Sequence, residues 1–191
     1  MSARHHTFVF TDLVGFTTLA AERGDDHAAE VAVELYRRVR GLLSSHRAEE
    51  VKTLGDGLML RCEDPALAMQ LGVRIVGDLR GLNGFPPLRV GIHTGPAAHR
   101  DGDWYGTTVN VAARLCAAAG GGEVLASEAT CEGAGRLGQL RLDEVRLHWL
   151  KNVTEPVHAR LVSHRPCGLE RLRAKRRSDF ACRLQAQAAR S

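Results

Sequence analysis

The fold is decided by one stretch near the middle of the chain, Glu50-Val51-Lys52-Thr53-Leu54-Gly55-Asp56-Gly57-Leu58-Met59-Leu60-Arg61-Cys62. The apolar residues on either side of its Gly-Asp-Gly turn predict two strands, residues 50–54 and 58–62, which form a hairpin with an acidic tip. Strands alternate with helices in the rest of the chain, but a doubly wound parallel sheet has no place for a tight hairpin. We therefore expect an α+β fold of the split βαβ type, with a mostly antiparallel sheet and helices packed on it.

The elements around the hairpin follow from hydrophobic periodicity. A buried strand over residues 7–11 ends at Asp12, and two helices are predicted over 14–23 and 26–45. The second helix is expected to be capped by Asp25 or Asp26 and to include Val33 among its apolar residues. The remaining predicted elements are a helix opened by Pro65, strand 88–93, a loop over 94–102, helix 109–119, strand 123–126, a short helix from Ser127, and strands 140–147 and 157–162.

Composition places the chain among globular proteins. It has 191 residues, of which 44% are hydrophobic and 25% charged, and this balance excludes wholesale disorder. No stretch approaches the roughly 18 apolar residues that a transmembrane helix needs, and the N-terminus lacks the apolar run of a secretion signal. We expect a cytoplasmic protein with no sensor domain ahead of Thr7. The five cysteines form no CxxC pair, so we expect reduced thiols rather than a zinc site or disulfides.

The basic residues are concentrated at the C-terminal end. Residues 165–191 carry a net charge of +6, whereas the whole chain carries +4, so residues 1–164 carry −2. We divide the chain into a globular domain, 1–164, and a basic tail, 165–191, in which a short helix over 168–187 is predicted. Attraction to nucleic acid or membrane would depend on the tail alone. A solvated segment, docking onto the domain, an acidic partner and an anionic membrane surface stay open as its role.

Two aspartates in special places are the strongest local signal. Asp12 ends a strand, and Asp56 lies at the hairpin tip on the same rim of the sheet. Such carboxylates, together with substrate phosphates, suit Mg²⁺, and Gly15 at the following helix start lets a phosphate approach free backbone amides. The alternatives are a helix cap for Asp12 and a turn residue for Asp56. Nucleotide motifs of other kinds are weak, because there is no GxxxxGK[ST] loop and the GxGxxG match at 133–138 lacks a strand–turn–helix context.

A second signal is the pair Asn110 and Arg114. These residues lie four apart and therefore on one helix face. Arginine is suited to spreading charge away from a phosphoryl transition state. The alternative is a surface pair on an amphipathic helix.

Four motifs in one consistent order resemble the class III nucleotidyl cyclase catalytic domain. They are Phe10-Thr11-Asp12-Leu13-Val14-Gly15-Phe16-Thr17, Lys52-Thr53-Leu54-Gly55-Asp56-Gly57, Arg89-Val90-Gly91-Ile92-His93-Thr94-Gly95 and Asp103-Trp104-Tyr105-Gly106-Thr107-Thr108-Val109-Asn110-Val111-Ala112-Ala113-Arg114-Leu115. Residues 149–157 resemble the closing segment of that domain. The resemblance covers roughly residues 5–163 and implies a ferredoxin-like fold, in agreement with the split βαβ prediction.

The resemblance implies a reaction and a set of ligands. Asp12 and Asp56 would bind two Mg²⁺ or Mn²⁺ ions, with the Leu13 carbonyl as an extra ligand, and one ion would lower the pKa of the ribose 3′-hydroxyl. The 3′-oxygen would attack the α-phosphorus in line, and pyrophosphate would leave. The other residues that the resemblance assigns are Gly15, Phe16 and Thr17 for the phosphates, Asn110 for the ribose, Arg114 for the transition state, and Lys151 for the β- and γ-phosphates.

The resemblance also indicates which base is bound. The positions that select the base match Lys52 and Asp103. Adenine offers an acceptor at N1 and a donor at N6, and a lysine and an aspartate match that pattern, whereas guanine presents the reverse. A wrong base would leave polar groups unpaired. We therefore expect ATP as substrate, with a strand-surface lysine and a loop acid as the alternative readings.

In this family the site is divided between two chains of a head-to-tail dimer. The metal aspartates come from one protomer and Lys52, Asp103, Asn110 and Arg114 would come from the other, so a homodimer could hold two complete sites. Lys151-Asn152 departs from the Lys-Gly of many relatives at this segment. Two other functions stay open: a non-catalytic cyclase-like nucleotide-binding or regulatory module, and a ferredoxin-like nucleic-acid-binding domain aided by the basic tail. Only 5% of the residues are aromatic, and base-stacking sheets need aromatic residues, so no nucleic acid is expected.

Overall fold

The computed structural model describes residues 4–165. Apart from Arg165, the basic tail therefore lies outside the described residues. Its predicted helix and the cysteines Cys167 and Cys182 lie outside them too. The strands are β1 (His5–Leu13), β2 (Ala48–Thr53), β3 (Gly57–Cys62), β4 (Leu88–Pro96), β5 (Ala98–Arg100), β6 (Asp103–Tyr105), β7 (Val124–Ser127), β8 (Leu140–Leu142), β9 (Arg146–His148) and β10 (Val157–His164). The helices are α1 (Phe16–Arg23), α2 (Asp25–Leu43), α3 (Pro65–Leu79), α4 (Thr107–Ala118) and α5 (Glu128–Gly133), with a 3₁₀ turn at Ser44–His46.

The main sheet has the strand order β2-β3-β1-β4-β7-β10-β8, with β9 also paired to β10. Every neighbouring pair is antiparallel except β4 and β7. The predicted hairpin is β2 and β3, and it sits beside β1 in the β4-β1-β3-β2 arrangement of a split βαβ unit. This confirms the predicted fold class.

The two faces of the sheet bury different sets of side chains. One face packs against α2 and α3 and forms the main core, which includes Leu35, Leu58, Leu60, Met69 and Ile92. The opposite face packs against α4 and buries Phe8, Phe10, Met59, Ala112 and Cys116. Among the residues that the structure describes, no helix is both long and apolar enough to span a membrane.

Two of the predicted elements are wrong in detail. The predicted loop over 94–102 contains the end of β4 and the strand β5, which pairs with β6 as a separate two-stranded hairpin. The predicted strand over 140–147 is two short strands along one edge of β10. Between β8 and β9, the three residues 143–145 lie opposite only two residues of β10, 160 and 161. The extra residue interrupts the ladder as in a β-bulge.

The expectations for α2 also need correction. The residue before the helix is Gly24, with no side-chain cap, and Asp25 and Asp26 occupy the first turn instead. Acidic residues there still favour the helix through its dipole. Val33 is 62% exposed rather than part of the core, because the neighbouring Ala32 and Leu35 form the buried side of the helix.

Candidate active site

The end of β1 and the turn of the β2–β3 hairpin bring Asp12 and Asp56 together. Asp12 is opposite Gly57 in the β1–β3 ladder, and the Leu13 amide donates a hydrogen bond to the Asp56 carbonyl oxygen over 3.1 Å. A Cβ on Gly57 would lie 1.8 Å from the carbonyl oxygen of Thr11, so only glycine allows this close approach. The two carboxylates predicted to bind metal therefore share one rim of the sheet.

The electrostatics of this rim show two carboxylates that repel each other. Burial and the negative charge of Asp12 raise the pKa of Asp56 above its ordinary value. Arg89 compensates part of this charge, because its Nε and Nη2 atoms each lie 2.6 Å from Oδ2 of Asp12. Its Nη1 atom donates to the carbonyl oxygen of Ala117 over 2.9 Å and so ties the arginine to α4.

A pocket of about 160 Å³ opens at the two carboxylates; its lining includes Leu54, Arg89 and Cys116 as well as Asp12 and Asp56. No group of three or more His, Cys, Asp or Glu residues suited to a metal occurs within residues 4–165. A cation held here would therefore take two carboxylates from the protein and its other oxygens from elsewhere. That donor set fits Mg²⁺ or Mn²⁺ bound together with substrate phosphates.

The start of α1 lies directly after Asp12 in the chain. Gly15 precedes the helix with a φ of 81°, in the left-handed region that favours glycine, and no side chain caps the helix. The Leu19 amide is the first to bond back, to the Gly15 carbonyl oxygen, so the amides of Phe16 and Thr17 have no partner within the helix. These amides are the donors that the sequence predicted for phosphate oxygens.

Lys52 and Asp103 form an ion pair across 51 positions of sequence. The hydrogen bond from Lys52 lowers the pKa of Asp103, whose Oδ1 atom also accepts the Trp104 amide over 2.8 Å. An irregularity in β2 sets the direction of Lys52: Glu50 is opposite Leu60, but Lys52 is opposite Met59. Because directly opposed residues share a face of the sheet, the extra residue puts Lys52 on the α4 side, where Asp103 lies.

Asn110 and Arg114 lie on the exposed side of α4, and neither lines the pocket at Asp12 and Asp56. Among residues 4–165, Arg114 has no salt-bridge partner. The glycines of the predicted motif 89–95 bring this helix close to the sheet. A Cβ on Gly91 would lie 2.0 Å from the Cys116 amide nitrogen, and one on Gly95 would lie 2.6 Å from the Thr108 hydroxyl oxygen.

Lys151 lies in the turn after β9 and is exposed. The next residue, Asn152, has a φ of 61°. Asparagine is one of the few residues other than glycine that adopt this conformation readily. The backbone shape thus explains how Lys151-Asn152 can replace Lys-Gly. The role of Lys151 stays a prediction.

Sequence reasoning missed two residues beside the metal-binding candidates Asp12 and Asp56. Arg89 was quoted only as part of a motif, and its contact with Asp12 follows from the β1–β4 register, in which the two residues are opposite. The hydroxyl of Tyr36 donates to the carbonyl oxygen of Gly55, and burial together with the charge of Asp56 raises the pKa of Tyr36. No sequence pattern places α2 beside the hairpin turn, so only the packing shows this contact.

Comparison with known families and proteins points to one group. The family model described as the adenylate and guanylate cyclase catalytic domain matches residues 2–136. The pH-sensitive adenylate cyclase MT1302 of Mycobacterium tuberculosis is 40% identical over 136 residues, which are 70% of this chain and 33% of that protein. An adenylate cyclase of Streptomyces griseus is 34% identical over 130 residues, 68% of this chain and 33% of that protein. The chain thus spans about a third of the length of these curated relatives.

Solved structures share the fold. The structure of adenylate cyclases from Trypanosoma brucei in their monomeric state matches with a TM-score of 0.78 at 24% identity, and covers 85% of this chain and 89% of that chain. The guanylyl cyclase Cya2 matches with a TM-score of 0.73 at 21% identity, and covers 85% of this chain and 94% of that one. At these identities the likeness bears on the fold alone, which is the predicted one.

Proposed function

Because the chain belongs to the family of adenylate and guanylate cyclase catalytic domains, we propose that it is an adenylyl cyclase, which converts ATP into 3′,5′-cyclic AMP and pyrophosphate. The family includes enzymes for both nucleotides, so the choice of ATP needs its own argument. We base the choice of ATP on the Lys52–Asp103 ion pair. One donor and one acceptor stand side by side, and they match the N1 acceptor and N6 donor of adenine.

The carboxylates of Asp12 and Asp56 would hold two Mg²⁺ or Mn²⁺ ions, with the Leu13 carbonyl as a further ligand. When bound, such ions supply Lewis-acid chemistry at the ribose 3′-hydroxyl and neutralise the β- and γ-phosphates. The closeness of the two aspartates supports this role, since two like charges in one small pocket favour a cation.

The remaining residues act on the substrate. The amides of Phe16 and Thr17, freed by the turn at Gly15, donate to the phosphate oxygens. Asn110 orients the ribose so that the 3′-oxygen faces the α-phosphorus, and pyrophosphate leaves on the opposite side. Arg114 stabilises the charge that develops on the phosphoryl oxygens. Lys151 binds the β- and γ-phosphates.

We place the complete site between two copies of the chain. Lys52 and Asn110 are exposed and Asp103 is half-buried. The carboxylate pocket does not include Asn110 or Arg114. The charges that shift the pKa of Asp56 are those of Asp12 and Arg89, and those acting on Asp103 are Lys52 and His99. Two separate half-sites on one chain are what a head-to-tail homodimer needs. The cytoplasmic location stays a prediction.

The deciding experiment incubates the purified chain with ATP or GTP, each with Mg²⁺ or Mn²⁺, and assays cyclic nucleotide and pyrophosphate. We expect cyclic AMP from the wild type and a loss of about a hundredfold or more in Asp12→Ala, because a preorganised charge of the site is removed. Asp78→Ala is the matched control, since Asp78 lies on α3 and pairs with Arg74.

The other outcomes are informative. Cyclic GMP as main product would show that the choice of ATP is wrong while the reaction stands. No product with either nucleotide, from a folded dimer, would favour the non-catalytic module.

A further inference from the structure

The hairpin that carries Asp103 is separate from the main sheet. Its strands β5 and β6 pair only with each other. Its turn contains Asp101 and Gly102, with φ values of 50° and 78°. Backbone hydrogen bonds of the sheet therefore do not fix the position of Asp103, and side-chain contacts must do so.

Trp104 supplies those contacts. Its ring centroid lies 4.3 Å from that of His6 and 5.6 Å from that of Phe8, the second in an edge-on arrangement. Both partners belong to β1, and Phe8 is completely buried while His6 is 8% exposed. The indole thus lies against a rigid strand in the middle of the sheet. On its own hairpin it contacts His99, with centroids 4.8 Å apart.

Arg61 on β3 places a positive charge against the indole of Trp104. The guanidinium carbon of Arg61 lies 5.3 Å from the Trp104 ring centroid, in the range of a cation–π contact. Arg61 is fixed in turn, because it donates to Glu49 on β2 and its Nη1 atom lies 3.0 Å from His6 Nδ1. Its side chain is only 14% exposed. Residues of β1, β3 and β5 therefore surround the indole.

The position of the indole sets the position of the carboxylate next to it. Oδ1 of Asp103 accepts the Trp104 backbone amide over 2.8 Å, and the other oxygen pairs with Lys52. Lys52 projects from β2, an edge strand of the main sheet. If the indole left its place, the hairpin would lose its anchor and Asp103 would no longer be held opposite Lys52.

We propose that Trp104 is a positioning residue for base selection: its ring, held by His6, Phe8 and Arg61, keeps Asp103 paired with Lys52 so that adenine meets a preformed donor and acceptor. The inference rests on the proposed function, because it assumes that this pair reads the base. It adds a determinant of specificity that makes no contact with the base itself.

The test compares Trp104→Leu and Trp104→Phe with the wild type in kcat/KM for ATP and for GTP. We expect Trp104→Leu to lower the ATP-to-GTP ratio by about tenfold, mainly through a higher KM for ATP, because the base-contacting carboxylate is misplaced. Trp104→Phe keeps an aromatic ring in place and should retain most of the ratio. Phe85→Leu is the matched control: it also replaces a half-buried aromatic residue, but one packed against the main core, so it should leave the ratio unchanged.

A second readout does not need turnover. Hydrogen exchange of residues 98–105 should be faster in Trp104→Leu than in the wild type and unchanged in Phe85→Leu. If Trp104→Leu fails to fold, Arg61→Met keeps the indole but removes the cation above it, together with the bonds of Arg61 to Glu49 and His6. It should lower the ratio by about threefold, in line with a partly buried cation–π contact.

The outcomes separate the two claims. A wild type that makes no cyclic nucleotide, or that does not prefer ATP, contradicts the proposed function, while the exchange measurement still tests the anchor. A folded Trp104→Leu with the wild-type ratio and wild-type exchange over residues 98–105 overturns the inference.

Discussion

Gly91 and Gly41 show how differently two glycines act in the same chain. Gly91 lies in β4 under α4, where a Cβ would be 2.0 Å from a backbone nitrogen, whereas Gly41 lies in α2 with nothing within 4 Å of the added atom. We expect Gly91→Ala to lower the free energy of unfolding by about 1–3 kcal/mol through overpacking. Gly41→Ala should raise it by about 0.5–1 kcal/mol, because alanine is the better helix former.

Urea unfolding of both variants measures these changes. Gly91→Ala should also lower cyclase activity, because α4 carries Asn110 and Arg114, and Gly41→Ala should not. Equal effects of the two substitutions on stability would contradict the close packing of α4 on β4.

Individual site residues differ in how far the sequence alone predicted them. Asp12 and Asp56 were predictable because a strand end and a glycine-flanked turn mark their places. A common role of Lys52 and Asp103 in base selection was expected only through the resemblance, and their ion pair was not expected. A residue on an edge strand and one on a separate hairpin have no local pattern in common. The contact of Arg89 with Asp12 needed the register of β1 and β4, which no short stretch encodes.

At the level of elements, β4 carries a half-buried histidine whose protonation the fold opposes. His93 shares a hydrogen bond with Ser127 on β7, 2.7 Å between Nδ1 and Oγ, and burial lowers its pKa to about 4. In the unfolded chain its pKa is about 6.5. The unfolded state therefore takes up a proton first as the pH falls.

We predict that the contribution of His93 to stability is complete above pH 6.5 and is lost as the pH falls from about 6.5 to about 4. From a difference in pKa of about 2.5, the loss amounts to about 3 kcal/mol. Denaturant unfolding at a series of pH values, with His93→Asn as the reference, measures it. The difference in free energy of unfolding between the wild type and His93→Asn should be constant above pH 6.5. Below pH 6.5 the wild type should lose stability relative to the variant. Parallel curves over pH 4–7 would contradict the lowered pKa.

Elements with a long apolar pattern were predicted well, and short ones were not. Apolar patterns predict the helices α2, α3 and α4 and the strands β1, β3 and β4, because each of these elements buries several side chains in the core. The hairpin of β5 and β6 has three residues in each strand, too few for an alternating pattern. The break between β8 and β9 comes from one extra residue opposite β10, and a register change of that kind depends on the partner strand.

For the whole molecule, the proposed division of the site between two copies predicts complementation between inactive chains. Asp12→Ala keeps the base and ribose residues, and Arg114→Ala keeps the carboxylates. A heterodimer of the two has one intact site and one site with both defects. Because half of the dimers in an equal mixture are heterodimers, we expect about a quarter of the wild-type activity, although each variant alone is nearly inactive.

The measurement is a cyclic AMP assay of the mixed chains. Asp12→Ala mixed with Asp56→Ala is the control, since both changes lie in the same half-site and no dimer is complete. Complementation in the control, or its absence in the first mixture despite dimer formation, would contradict a site shared between copies.

The absence of Asn110 and Arg114 from the lining of the carboxylate pocket also bears on gene dosage. If no chain completes a site by itself, a dilute population produces second messenger in proportion to the square of its concentration, because every working site requires an encounter of two copies. Doubling expression would then raise output about fourfold until most chains are paired, after which the response becomes linear. A cell that contains few copies of the chain would therefore produce almost no second messenger, because few of the copies are paired.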